Sequence, residues 1–193
     1  MANISEFKAK LSSGGARANQ FEVYVPIFDS EDLKFLCKAA SLPASTIQDI
    51  PMLYRGREVH VAGERTFEPW TITIINETNF NIRSGFEDWM NVISANASTV
   101  GSVAPGTYQV DMYVNQLDRN DTGPLMTYHF ANAYPTNVSE IQLSYDQGQQ
   151  IEEFTVTFVY DYWIGTKPGS LLSEVLGKAG QIGNIFGAIK GAL

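Results

Sequence analysis

The chain has 193 residues, 44% of them hydrophobic and 18% charged, with 13 Lys and Arg against 21 Asp and Glu for a formal net charge of −8. That balance is the composition of a folded chain rather than a disordered one, and its acidity argues against a protein held on nucleic acid by clustered cations. A single cysteine, Cys37, rules out an intrachain disulfide, and together with two histidines it leaves little from which to build a zinc site.

The opening residues, MANISEFKAKLSSGG, lack the apolar centre of a signal peptide, and no run of roughly 18 apolar residues follows. A soluble chain made in a reducing compartment is the expectation. From Phe21 the pattern has period two. Phe21, Val23 and Val25 alternate with Glu22 and Tyr24, and Leu33, Phe35 and Cys37 with Lys34 and Lys38. Side chains that alternate in this way fit half-buried antiparallel strands.

Residues 39–63, AASLPASTIQDIPMLYRGREVHVAG, are extended but alternate poorly. Pro43 and Pro51 each remove a ladder donor, which confines them to edges, bulges or loops. Leu42, Ile47, Ile50, Met52, Leu53 and Tyr54 nevertheless make the segment apolar. So long an apolar excursion is unusual as a free loop and would be comfortable against another subunit. Within it, Arg55-Gly56-Arg57 sets two cations around a flexible point. A solvated turn and a pair of arginines meeting carboxylates on a neighbour both remain open.

Trp70, Ile72 and Ile74 alternate with Thr71 and Thr73. Between Asn79 and Asn96 the period changes: Ile82, Phe86, Trp89, Met90 and Ile93 form a helical stripe, with Thr78 or Asn79 as the N-cap. Alternation then resumes at Tyr108–Val114, at Met126–Phe130 and at Ile141–Tyr145, and is longest at Phe154–Tyr162. Asp146-Gln147-Gly148 has hairpin-turn composition. The expected fold is all-β with one flanking α-helix, an antiparallel sandwich or barrel subunit over residues 1–163 whose helix covers a sheet face or an open barrel end.

The composition shifts after that. From Ile164 one acid, Glu174, stands against Lys167, Lys178 and Lys190, giving +2 and leaving −10 on residues 1–163. Leu172, Val175, Leu176, Ala179, Ile182, Phe186 and Ile189 fall at helical spacing beside Gly183, Gly187 and Gly191. Small residues at that spacing pack membrane helices, but the charges interrupt the run and each glycine costs a helix about 1 kcal/mol. Residues 164–193 are expected to form a weakly helical arm that orders on a partner or stays mobile.

No catalytic constellation emerges. Cys37 lies on the apolar side of its alternation, which favours a buried hydrophobe over a nucleophile. His60 and His129 lie on polar strand positions with no motif that marks a general base. Glu152 and Glu153 are neighbours on a strand and point to opposite faces, and Glu87-Asp88 reads as solvated helix charge. The run Asp118–Gly123 lacks the terminal glutamate of a calcium loop, and no glycine-rich phosphate loop is present. No enzyme, metal or cofactor is expected.

Several ordered segments are recognisable together. FLCKAASLP (35–43), IPMLYRGREVHV (50–61), AGERTFEPW (62–70), TITIIN (71–76), Phe86-Glu-Asp-Trp89, YPTNV (134–138) with SEIQLSYD after it, and IEEFTVTFVYDYW (151–163) resemble the tail tube proteins of contractile-tailed, T-even-like bacteriophages. The resemblance covers about residues 17–163; the chain from Gly165 departs from the shorter family pattern. It implies a structural protein whose hexameric rings stack into a tube inside a contractile sheath, the sheets of a ring joining edge to edge into a barrel around a lumen.

The implied partners are further copies of the chain, the sheath protein, the baseplate tube-initiating and tail-terminating proteins, and a length-determining tape-measure protein and DNA that pass through without specific binding. No membrane is involved. The implied location is the virion tail, assembled in the cytoplasm of the infected bacterium. On this basis Pro43, Ile47, Ile50, Met52, Leu53, Tyr54, Arg55 and Arg57 are candidate inter-subunit contacts. Asp111, Glu152 and Asp161, on or beside polar strand faces, are candidate lumen-facing acids, since a negative wall repels the DNA backbone. A secretion-system tube of the haemolysin-coregulated type and a baseplate tube initiator share the implied fold, and a monomeric ligand-binding or hydrolytic β-sandwich is the alternative of a different class.

Overall fold

The computed structural model describes residues 3–10, 14–27, 33–34, 36–96, 98, 101–119, 123–146, 148 and 150–167. Its elements are α1 (Ile4–Lys10), β1 (Phe21–Tyr24), β2 (Cys37–Ala40), β3 (Ser45–Tyr54), β4 (Arg57–Phe67), β5 (Trp70–Ile75), α2 (Asn81–Ile93), β6 (Val110–Leu117), β7 (Pro124–Val138), β8 (Glu153–Val159) and β9 (Tyr162–Thr166). Seven strands form one sheet in the order β1-β6-β7-β8-β5-β2, with β9 on β7, while β3 and β4 form a separate two-stranded ribbon. The sheet is not closed in the single chain. Two compact units are distinguished, Val23–Val114 with Tyr128–Ile164, and Met1–Glu22 with Asn115–Thr127 and Gly165–Leu193.

The larger unit holds the core. Period-two alternation puts Trp70, Ile72, Ile74, Phe154, Val156, Phe158, Met112 and Phe130 on one sheet face, all buried. Helix α2 lays Ile82, Phe86 and Trp89 over that face. Phe86 meets Phe158 and Phe154 edge-on, with ring centroids 5.9 and 6.4 Å apart, and Trp70 lies 4.7 Å from Phe130. Burying each such ring is worth about 2–3 kcal/mol. Their polar atoms are matched: Trp89 Nε1 donates to Tyr108 O (2.7 Å), Trp70 Nε1 to Ser41 O (2.6 Å) and the Tyr160 hydroxyl to Glu68 O (2.8 Å). Burial pushes the Cys37 thiol up to about 12, so it is a small hydrophobe here.

Local details depart from expectation in three places. Helix α2 starts at Asn81, later than expected, and neither Thr78 nor Asn79 caps it. A turn bonded from Phe80 N to Glu77 O (3.0 Å) leads into it and leaves Phe80 left-handed at the cap, φ 57, with no side-chain bond. Leu33 and Lys34 are helical, the strand begins only at Cys37, and Phe35 lies outside the described residues. Residues 141–145 alternate like a strand but form none, because among the described residues no strand bonds to them; Leu143 and Tyr145 stand exposed. The turn after them is found at Tyr145 and Asp146. Strand β9 runs past 163 to Thr166, and residues 168–193, most of the expected arm, lie outside the described residues.

The smaller unit is held by polar contacts. Gln116 Nε2 donates to Gln20 O (2.6 Å) and Arg17 O (2.8 Å), Asn115 Nδ2 to Glu22 Oε1 (2.9 Å), and Thr127 Oγ1 to Asn115 Oδ1 (2.7 Å). Its helix α1 leaves Ile4 and Phe7 exposed.

Candidate functional site

The apolar excursion of the sequence is the β3–β4 ribbon. Nine residue pairs join it, from Ser45↔Phe67 to Tyr54↔Arg57. The loop at its tip is Arg55-Gly56, and both residues have positive φ, 48 and 80, the two-residue turn whose twist matches the flanking strands. Arg55 pays the left-handed strain and lays its guanidinium 5.4 Å over the Tyr54 ring. Near the base the register slips between Ile47 and Asp49, so Gln48 opposes both Gly63 and Glu64. Gly63 is required there, since a Cβ on it would stand 2.9 Å from Gln48 O.

The register sorts the ribbon into two faces. One carries Ile50↔Val61, Met52↔Val59 and Tyr54↔Arg57; the other carries Asp49↔Ala62, Pro51↔His60 and Leu53↔Glu58. On the second face His60 Nδ1 lies 2.6 Å from Asp49 Oδ2. The first face is apolar and uncovered: Ile50, Met52, Tyr54, Val59 and Val61 are between 41% and 64% exposed, and Leu53 on the other side is 84% exposed. A ribbon of two strands is marginal alone, and apolar surface collected in this way marks a contact site. The structure brings Ile47, Ile50, Met52, Leu53, Tyr54, Arg55 and Arg57 onto this one element, with Pro43 half-buried in the link that feeds it. Val59 and Val61 belong to the same face and were not singled out from the sequence; their pairing across an Arg-Gly turn was the missing signal.

The sheet face opposite the core is polar. Thr71 and Thr157 hydroxyls meet at 3.0 Å, and Thr73 pairs with Thr155 in register. Farther along, Asn132 sits left-handed, φ 55, and gathers two of the candidate acids: its N–H donates to Asp111 Oδ1 (3.1 Å) and its Nδ2 to Asp161 Oδ2 (2.6 Å). His129 Nε2 is 3.2 Å from Asp111 Oδ2 without hydrogen-bond alignment, and its ring stacks on Tyr113 at 4.8 Å. Burial first, then the Asp111 carboxylate and Tyr24, push the Tyr113 phenol above its ordinary range. Glu152 takes a different place. It shares strand parity with Phe154 and accepts from Asn76 Nδ2 (2.8 Å) at the end of the core-side face. Among the described residues no group of three or more His, Cys, Asp or Glu is placed to hold a metal, and no helix is long and apolar enough to cross a membrane.

A family model described as phage tail tube protein matches residues 2–166. The chain is 33% identical over 148 residues to the tail tube protein gp19 of Enterobacteria phage T4, covering 77% of this chain and 90% of that protein. It is 28% identical over 169 residues to the tail tube protein of Serratia phage KSP90, covering 83% and 95%. Among solved structures, the tube-terminating cap of the anti-feeding prophage superposes with a TM-score of 0.61 at 16% identity over 79% of this chain and 91% of that one. A chain of the sheath–tube complex of an extracellular contractile injection system gives 0.57 at 17% identity over 86% and 99%. At these identities the structural likeness speaks to the fold.

Proposed function

The chain belongs to the phage tail tube protein family and is a structural subunit of a phage tail; we propose that copies of it close into hexameric rings that stack as a hollow tube within a contractile sheath. The single observation that carries this reading is the β3–β4 ribbon, which gathers the exposed apolar side chains Ile50, Met52, Leu53, Tyr54, Val59 and Val61 on one projecting element. Apolar surface gathered in this way favours a partner that covers it, and in a tube that partner is the next copy. The open seven-stranded sheet fits the same scheme, its outer strands joining those of neighbours to close a barrel. Lysine and a bulge blunt the short outer strand β2, which limits that joining to a partner of matching register.

In this arrangement α2 lies on the outside toward the sheath, and the polar sheet face lines the lumen. Asp111 and Asp161, fixed through Asn132, then present carboxylates beside threonine hydroxyls, a wall that binds phosphates poorly and lets DNA and a tape-measure protein pass. Assembly takes place in the cytoplasm of the infected bacterium, with baseplate and terminator proteins at the ends. The family match over residues 2–166 favours this reading over a secretion-system tube, a tube initiator or a monomeric binding domain. The role is structural and needs no catalytic group. Negative-stain electron microscopy of the purified chain should show rings and tubes; a monomer that persists at high protein concentration, with neither, overturns it.

A further inference from the structure

Apart from the ribbon, apolar side chains are also exposed on the larger unit between β7 and β8, where residues 140–144 and 150–153 enclose with Lys38 an open, mostly polar groove of about 850 Å³. Its apolar lining comes from Ile141, Leu143 and Ile151, the last two 79% and 71% exposed. Its rim is acidic: Glu140 and Glu153 stand at the surface, and Lys38 pairs with Glu153. The alternation of Ile141, Leu143 and Tyr145 is strand-like, yet among the described residues no strand pairs with it.

We infer that this groove receives the ribbon tip of a second copy of the chain, so that Arg55 and Arg57 meet Glu140 and Glu153 while Leu53 and Tyr54 enter against Ile141, Leu143 and Ile151. The inference rests on the tube reading and names the receptor that reading leaves open. Three observations carry it. The tip and the groove are complementary in kind, two guanidiniums with two apolar side chains against exposed carboxylates beside the apolar side chains of a mostly polar groove. At −8 overall the copies repel one another, so the contact that joins them must place cations on acids. The surfaces also differ, so a docked pair still offers one free tip and one free groove, which is the condition for an assembly that propagates. The exposed Lys38–Glu153 ion pair is the element to be exchanged on docking, since an incoming arginine competes with Lys38 for the carboxylate.

The test is a charge swap in the full chain. R55E/R57E and E140K/E153K should each give a folded protein, by circular dichroism and thermal melting, whose tube yield falls at least tenfold. Mixing the two should restore mixed tubes in which the variants alternate, because the arginine tip of one meets the glutamate groove of the other and the glutamate tip meets the lysine groove, and the quadruple variant should recover tubes by that second contact alone. K38A should raise tube yield at a given protein concentration. An independent readout is oxidation of tubes carrying L53C and L143C, expected to give a ladder of linked chains on a denaturing gel; Cys37, buried and with its thiol pushed up to about 12, does not compete. Intact wild-type tubes with no rescue in the quadruple variant and no ladder overturn the groove assignment and leave the tube reading standing. Wild-type chain that never assembles overturns both.

Discussion

The face beneath α2 and the β3–β4 ribbon contain much the same kinds of residue and solve opposite problems. Phe86, Trp89, Phe154 and Phe158 are covered within the chain and have their polar atoms matched. Ile50, Met52, Leu53, Tyr54, Val59 and Val61 are as apolar, and they stand 41–84% exposed. Hydrophobicity therefore does two jobs here. In the first region it stabilises the subunit, and in the second it is exposed on a ribbon, where the tube reading has a neighbouring copy bury it. Sequence-local strength follows the division: the core uses a continuous sheet and a helix, the ribbon only a turn, a bulge and nine pairs.

The comparison can be broken most forcefully in the core. Phe86→Ala should destabilise the monomer by about 3–5 kcal/mol in denaturant unfolding; a loss no larger than that of a ribbon variant would erase the distinction. A pH series probes the same region. Because the folded Cys37 thiol titrates at about 12 against 9.0 for the free group, the folded chain holds its proton where the unfolded chain has lost it. Its contribution is fully present below pH 9 and is lost as pH rises toward 12. Between pH 9 and 11 the wild type should lose about 1.4 kcal/mol per pH unit more than Cys37→Ala; parallel curves would remove the thiol from the core. On the ribbon, Arg55→Asn relieves the left-handed strain at the tip and should slow hydrogen exchange of the ribbon amides by an amount equivalent to about 1 kcal/mol, with global stability unchanged. The smallest effect on the monomer is the most informative one. Met52→Ser with Leu53→Ser should leave unfolding within about 0.5 kcal/mol of wild type and yet abolish tubes; tubes at wild-type yield would mean the ribbon is not the contact.

The core and the polar ribbon residues were legible in the sequence for the same reason. Trp70-Ile72-Ile74 and Phe154-Val156-Phe158 alternate, and Ile82, Phe86 and Trp89 repeat at helical spacing, because both faces are set by burial within this chain. His60 on a polar strand position was equally readable, and it pairs with Asp49. The ribbon itself was visible only as an awkward apolar stretch. Proline at 51 and uneven alternation hid the pairing, and the Arg-Gly turn lacks the asparagine that usually announces it. Ile141, Leu143 and Tyr145 show the converse. Their alternation predicts a strand, but alternation records only which faces differ; a strand also needs a neighbour, and the described residues supply none there. The link between Asp111 and Asp161 escaped entirely, because it depends on Asn132 adopting a left-handed conformation in the middle of β7.

Pro51 has a consequence for errors in assembly. Tyr54 and Arg57 flank a two-residue loop and so form a hydrogen-bonded pair; counting back, Met52↔Val59 is the next such pair, and Pro51↔His60 falls on the alternate kind, whose backbone nitrogens point away from the partner strand. The proline ring costs the ribbon no rung and deletes a donor from the outer edge of β3. A foreign strand pairing along that edge finds one donor missing in mid-register, which weakens unselective backbone pairing there.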